Sequence, residues 1–180
     1  MDSCPILLDP NGDGIQLTTA EDGVSFDLRP DGTHERLAWT RPGSDDAFLA
    51  LDRNGNGLID DGHELFGNYT PQHSSDQPNG FRALAVYDSP AEGGNRDGEI
   101  SRSDAIFQWL LLWRDADHDG ISQPSEITPL SLSGLDAIDL KVKDSKKRDE
   151  FGNLFRFRSR VDDSTDLGKW AYDVFLRRVR

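Results

Sequence analysis

Residues 103–126 read S-D-A-I-F-Q-W-L-L-L-W-R-D-A-D-H-D-G-I-S-Q-P-S-E, and the fold turns on how this stretch is read. Its first half, Ser103 to Arg114, is apolar nearly all round, which predicts a helix in the centre of the core. Its second half, Asp115 to Glu126, matches the twelve-residue EF-hand pattern D-x-[DN]-x-[DN]-G-x5-E. Calcium is a hard cation that takes six to eight oxygens, and the pattern supplies them at alternating positions. Asp115, Asp117 and Asp119 offer carboxylates, Ile121 its backbone carbonyl, and Glu126 two oxygens at once, while Gly120 permits the sharp turn. The apolar residue expected at the eighth position is Ser122, with Ile121 one place early.

Further acidic stretches echo this loop. In the segment beginning at Asp52, Asn54, Asn56, the Leu58 carbonyl and Asp60 fall at ligand positions, with Ile59 at the eighth and Glu64 one place late at the thirteenth. In a third, Asn95, Asp97, Glu99 and Asp104 fit the later positions, but Gly93 stands where the first acid belongs; Asp88, across an insertion, is the residue able to loop back. Ser101 and Asp104 also read as a helix capping box. Asp9, Asn11 and Asp13 form a short oxygen-rich turn that needs ligands from elsewhere. In Asp27-Leu28-Arg29-Pro30-Asp31-Gly32, Arg29 puts a cation where a ligand belongs, which favours a plain tight turn.

Around these loops, short apolar runs at Ile6–Leu8, Ile15–Leu17, Val24–Phe26, Leu37–Trp39 and Phe48–Leu51 predict strands. Phe81 to Tyr87 reads as a short helix capped by Asn79, and Ala137 to Val142 as a strand. Phe155 to Val161 and Trp170 to Leu176 read as a hairpin, turning around Asp163 to Gly168, with Arg156, Arg158 and Arg160 on its wet face. The fold expected is α+β: one module over 1–180, β-rich at 1–51, an EF-hand-like helix-loop-helix core at 52–130, and C-terminal strands and a hairpin at 136–180. Within that core the loops before and after Ser103–Arg114 would share this helix and pair, about three to four calcium ions organising the whole.

Composition narrows the function. The chain has 180 residues, enough for one core, and a net charge of −13 that argues against nucleic acid as a partner. Residues 141–180 carry +5 and residues 1–140 carry −18, so the acidic excess lies with the loops. A lone Cys4 excludes an internal disulfide framework, and four histidines without H-E-x-x-H spacing offer no catalytic zinc site. No apolar run is long enough to span a membrane, and the N-terminus lacks the segments of a signal peptide.

The stretch P-I-L-L-D-P-N-G-D-G-I from Pro5, the block L-A-L-D-R-N-G-N-G-L-I-D-D-G-H-E-L-F-G and the later W-R-D-A-D-H-D-G-I-S-Q-P-S-E-I resemble the self-processing module of secreted RTX-type proteins of Gram-negative bacteria, and related calcium-binding modules of large bacterial surface proteins. The likeness runs over about residues 5–145. It implies a secreted or cell-surface parent protein, folding by calcium, and cleavage of an Asp-Pro bond at the module's N-terminal edge through an anhydride that a lysine captures. Here Cys4 precedes Pro5 and brings no carboxylate, and the nine-residue glycine-rich repeats of such proteins are absent. The residues therefore point to a calcium-binding structural module, with calcium-activated self-processing as the alternative.

Overall fold

The computed structural model describes residues 4–163 and 169–179. Eleven strands account for most of its regular structure: β1 (Ile6–Leu8), β2 (Val24–Phe26), β3 (Glu35–Leu37), β4 (Ala47–Ala50), β5 (Glu99–Ser101), β6 (Leu111–Trp113), β7 (Ile127–Pro129), β8 (Leu135–Asp139), β9 (Lys143–Arg148), β10 (Leu154–Asp163) and β11 (Lys169–Phe175). One nine-stranded sheet runs β5-β8-β10-β11-β1-β4-β6-β7, with β9 also paired to β10, and β2 and β3 form a separate hairpin. Every pairing is antiparallel.

The middle of the sheet is buried on both faces. Ile6, Leu8, Ala47, Leu49 and Leu112 point to one apolar cluster, while Leu7, Phe48, Ala50 and Trp113 point to another. A strand alternates its side chains, so burial on both sides demands an unbroken apolar run, which is what Ile6–Leu8 and Phe48–Ala50 show. In the second cluster Phe26, Trp39, Phe48 and Trp113 pack as tilted and edge-on aromatic pairs, with centroids 4.4 Å apart for Trp39 and Phe48 and 5.7 Å for Phe48 and Trp113. A bulge in β10 between Phe155 and Phe157 sends these two rings to opposite clusters, so one strand serves both cores.

The helical core expected from the sequence is not there, and the fold is β-rich, not α+β around helices. Ser103 to Arg114 divides into a 3-10 turn at Ala105–Trp109 and the strand β6, the break coming at Leu110, whose ψ of 139° is extended. The physical reason lies in the ambiguity of its pattern: an apolar run without periodicity suits a strand sandwiched between two cores as well as a central helix. Trp109, placed inside by the helical reading, is 64% exposed, whereas Trp113 is fully buried. No helix therefore links the two loops on either side of this stretch, and Glu126 closes a 3-10 turn, Pro124–Glu126.

The short helix and the C-terminal hairpin are where the sequence puts them. The single α-helix among the described residues, α1 (Gly80–Ala85), begins where Asn79 Oδ1 accepts the Arg82 N–H at 3.0 Å. It continues as a 3-10 turn to Asp88, and Phe81 and Leu84 join the first cluster. The C-terminal hairpin is β10 and β11; most of its turn, 164–168, lies outside the described residues. Ile15–Leu17 makes only an isolated bridge, Leu17 to Thr40.

Two tryptophans test the corrected reading. Trp113→Ala removes the hub of the aromatic cluster and is expected to cost about 3–5 kcal/mol in urea unfolding, whereas Trp109→Ala stays within about 0.5 kcal/mol. Comparable losses at both positions would mean that the run is a buried helix after all.

Candidate metal centre

Four of the five acidic loops begin where a strand stops, and the fifth, at Asp88, begins where the 3-10 turn after α1 ends. Asp9 follows β1, Asp27 follows β2, Asp52 comes two residues after β4 and Asp115 two residues after β6. Strand ends thus place the first carboxylates of these four loops, and Asp9, Asp27 and Asp115 are buried there.

The first carboxylate folds the loop over itself. Asp115 Oδ2 accepts the Gly120 N–H at 2.9 Å and its Oδ1 accepts that of Asp119 at 3.1 Å. Asp52 accepts from Gly55, Asn56 and Gly57, and Asp9 from Gly12, Asp13 and Gly14. In the third loop it is Asp88 that accepts from Gly98, at 3.1 Å, so the residue upstream of the insertion does return to the first position. With Gly98 in sixth place, the fourth position has positive φ in all four loops: Gly12 at 77°, Gly55 at 74°, Arg96 at 60° and His118 at 60°. Arg96 and His118 are the only non-glycine residues so strained among those described. In the Asp27 loop Pro30 holds that position and cannot adopt it, in keeping with the tight-turn reading.

The closing acid repeats too. Glu126 Oε1 accepts the N–H groups of Ala116 and Asp117, at 2.6 and 3.3 Å, and Oε2 that of Gln123 at 3.2 Å. Glu64 does the same for Arg53, Asn54 and Asp60, so its late position in the sequence leaves its role intact. Asp104 Oδ2 accepts the Ser101 N–H at 2.8 Å, the equivalent ninth-position amide.

Asp115, Asp117 and Glu126 bring one carboxylate oxygen each within 4.8 Å of one another. Gln123 donates its amide N–H to Asp117 and Asp119 at 3.3 and 3.2 Å, so a partial positive charge lies against both outer acids. Burial, reinforced by the charge of Glu126, raises the Asp115 carboxyl above its ordinary range while the Gly120 and Asp119 amides pull it down. In the Asp52 loop the amides of Asn54 and Asn56 donate to Asp60, at 3.0 and 2.7 Å. In the third loop Asn95 donates to Asp97 at 2.7 Å. There Asp88 Oδ1 and Asp104 Oδ1 are buried with no hydrogen-bond partner among the described residues, and burial with the charges of Asp97, Asp162, Asp139 and Asp104 raises Glu99. Buried oxygens left without donors fit a cation.

Two features escaped the sequence. Asp9 and Asp13 gather with Asp45, whose carboxylate lies within 4.8 Å of theirs and accepts the Asn11 N–H at 2.7 Å. Nothing in the spacing links Asp45 to Asp9; the β1–β4 register, Leu8 opposite Ala47, does. The second is which loops pair. The loops at Asp52 and Asp115 meet at their eighth positions: Ser122 Oγ accepts the Ile59 N–H at 2.7 Å and donates to the Ile59 carbonyl at 3.3 Å. The expected pairing of the third loop with the Asp115 loop is therefore replaced, since β6 and not a helix enters the latter. Ile121 is 62% exposed and Ser122 buried, which explains the shifted apolar residue.

A second buried polar site lies at the N-terminal edge. The Cys4 N–H donates to Asn68 Oδ1 at 3.0 Å, and a Cβ on Gly67 would stand 2.7 Å from the Cys4 carbonyl oxygen, so only glycine lets the chain lie this close. Asp173, fully buried on β11 opposite Ile6, accepts the Gly80 N–H on Oδ2 at 2.8 Å; Oδ1 has no nitrogen or oxygen donor, and its neighbour is the Cys4 thiol. Burial pushes the Asp173 carboxyl up to about 7, against the pull of Gly80, Cys4 and Arg156. Burial also raises the thiol, and the Asp173 charge adds to this.

The chain belongs to the SPM domain family, whose sequence profile matches residues 6–177. Among its relatives is the iron-regulated protein FrpA of Neisseria meningitidis serogroup C, 41% identical over 152 residues. The match takes in 83% of this chain and 13% of FrpA, so the shared unit is a small module within that much longer protein. No helix among the described residues is long and apolar enough to cross a membrane.

Asp173 has a signature in pH. Its folded value of about 7 exceeds the unfolded value of about 3.9, so its contribution is fully present below pH 4 and is lost as the pH rises towards 7. The loss is on the order of 4 kcal/mol. Asp173→Asn is expected to gain stability over the parent chain as pH rises from 4 to 8; parallel stability curves for the two would contradict a raised carboxyl.

Proposed function

We propose that this chain is a calcium-binding structural module of an exported or cell-surface bacterial protein, locked into shape by several Ca²⁺ ions. The observation that carries this reading is the repeated loop: a first carboxylate on the sixth-position amide, a fourth residue of positive φ and a closing acid on the ninth amide, in the loops at Asp52, Asp88 and Asp115. Asp115, Asp117, Asp119, the Ile121 carbonyl and Glu126 would hold one ion. Asp52, Asn54, Asn56, the Leu58 carbonyl, Asp60 and Glu64 would hold a second, and Asp88, Asn95, Asp97, Glu99 and Asp104 a third. Asp9, Asn11 and Asp13, with Asp45, make a fourth candidate. The location follows from the likeness to secreted RTX-type modules and from kinship with a small part of FrpA.

Without metal, carboxylates about 4 Å apart repel by up to ~4 kcal/mol at an effective dielectric of 20, and a bound cation reverses the sign. A site at a hundred times its dissociation constant adds about 2.7 kcal/mol. The thermal midpoint is expected to rise clearly from EDTA to millimolar calcium, and to rise less in Glu126→Gln, which also loses the tightest step in a calorimetric titration. Equal midpoints in the two buffers would sink the reading.

Self-processing is the second reading, favoured by one observation: a buried carboxyl, Asp173, faces residue 4 beside the bond to Pro5. Cys4 lacks the carboxylate that would attack its own carbonyl, and the unmodified chain is expected to stay intact in calcium. Cys4→Asp behind an upstream tag would acquire calcium-dependent cleavage between positions 4 and 5 if that group alone is missing. Mass spectrometry decides: clipping of the unmodified chain after residue 4 overturns the structural reading, and an inert Cys4→Asp removes the second.

A further inference from the structure

The acidic chain carries one face of opposite sign. On β10, Arg158 and Arg160 point to the same side of the sheet, two residues apart, so about 7 Å separates them. Lys143 of β9 stands directly opposite Arg158, about 5 Å away across the strands, and Lys147 lies further along β9. Like charges directly opposite each other destabilise a sheet. None of these four cations is within ion-pair distance of a carboxylate among the described residues, although the chain has 33 acids. Asp162, next in the same row, lies beside Glu99 and bounds the patch.

Three of the four cations are held in place by rings. Arg158 stacks 4.5 Å from the Trp170 centroid with Arg160 at 5.9 Å, and Lys147 sits 4.7 Å over Phe155 and 5.9 Å from Tyr172. A guanidinium held against an indole loses little freedom when it binds an oxyanion. Lysines that merely guard a sheet edge would explain β9, but not the arginines of β10, which is paired on both sides.

We infer that Lys143, Lys147, Arg158 and Arg160 form a binding surface for an acidic polysaccharide, a chain whose sulfate or carboxylate groups recur along a narrow backbone. Charge complementarity and the two-dimensional spacing carry this. A flat anionic membrane is disfavoured because the row of cations runs directly into acids on the same face, Asp162 two residues beyond Arg160 and Glu99 beside it. A planar surface would press against those acids within the ~8 Å Debye length, whereas a single strand of sugar follows the cations alone. A second copy of this chain is disfavoured because its first-position carboxylates already accept their own backbone amides.

The test uses the full chain in calcium at physiological ionic strength, with heparin as probe. Heparin is expected to bind, and Arg158→Gln with Arg160→Gln to weaken it by about tenfold or more at an unchanged thermal midpoint. Lys143→Gln, on an exposed edge where folding is not at stake, gives a smaller loss, and Arg102→Gln, paired with Asp136, gives none. Absence of heparin binding, or equal binding by these patch variants, overturns the inference. So does poly-aspartate binding as tightly as heparin, which would indicate charge alone, or binding to phosphatidylserine vesicles without binding to heparin.

Discussion

The constraint on which the rest depends is a carboxylate placed at the end of a buried strand. A desolvated aspartate is costly unless donors or a cation satisfy it, so wherever β1, β4 or β6 runs out, the following acid draws the next few amides around itself. The turn that results requires positive φ at its fourth and sixth positions, and the chain supplies glycine there or accepts strain at Arg96 and His118. Acidic loops, sheet and core are therefore one mechanical unit: the apolar clusters fix the strand ends, and the strand ends fix the first carboxylate of the loops at Asp9, Asp52 and Asp115.

This arrangement separates the EF-hand-like loop pattern from the helix pair that usually carries it. Strands do the same work by a different route, holding the first acid through sheet register, and a single hydroxyl, Ser122, bridges two loops where a backbone pair would be expected. Because the two paired loops flank the aromatic cluster through Ile59 and Trp113, loss of charge balance in either would be felt in the same core. The separate Cys4–Asp173 pair ties the N-terminal edge to β11 and to the start of α1, so the residue before Pro5 is held by tertiary structure and not by the loops.

The sequence by itself determined what is local. The Asp115–Glu126 loop, the partial loops at Asp52 and Asn95, most of the short strands of the first fifty residues, the Asn79 cap and the C-terminal hairpin each depend on residues a few places apart, and short-range chemistry specifies them. Tertiary structure alone decided the rest. An apolar run from Ala105 to Trp113 has no period to declare whether it is helix or strand, and only the presence of a core on each face made its end a strand. The return of Asp88, the arrival of Asp45 beside Asp9, the pairing of Ile59 with Ser122 and the meeting of Cys4 with Asp173 join residues distant in the chain. Their proximity follows from strand register, which spacing along a sequence does not encode.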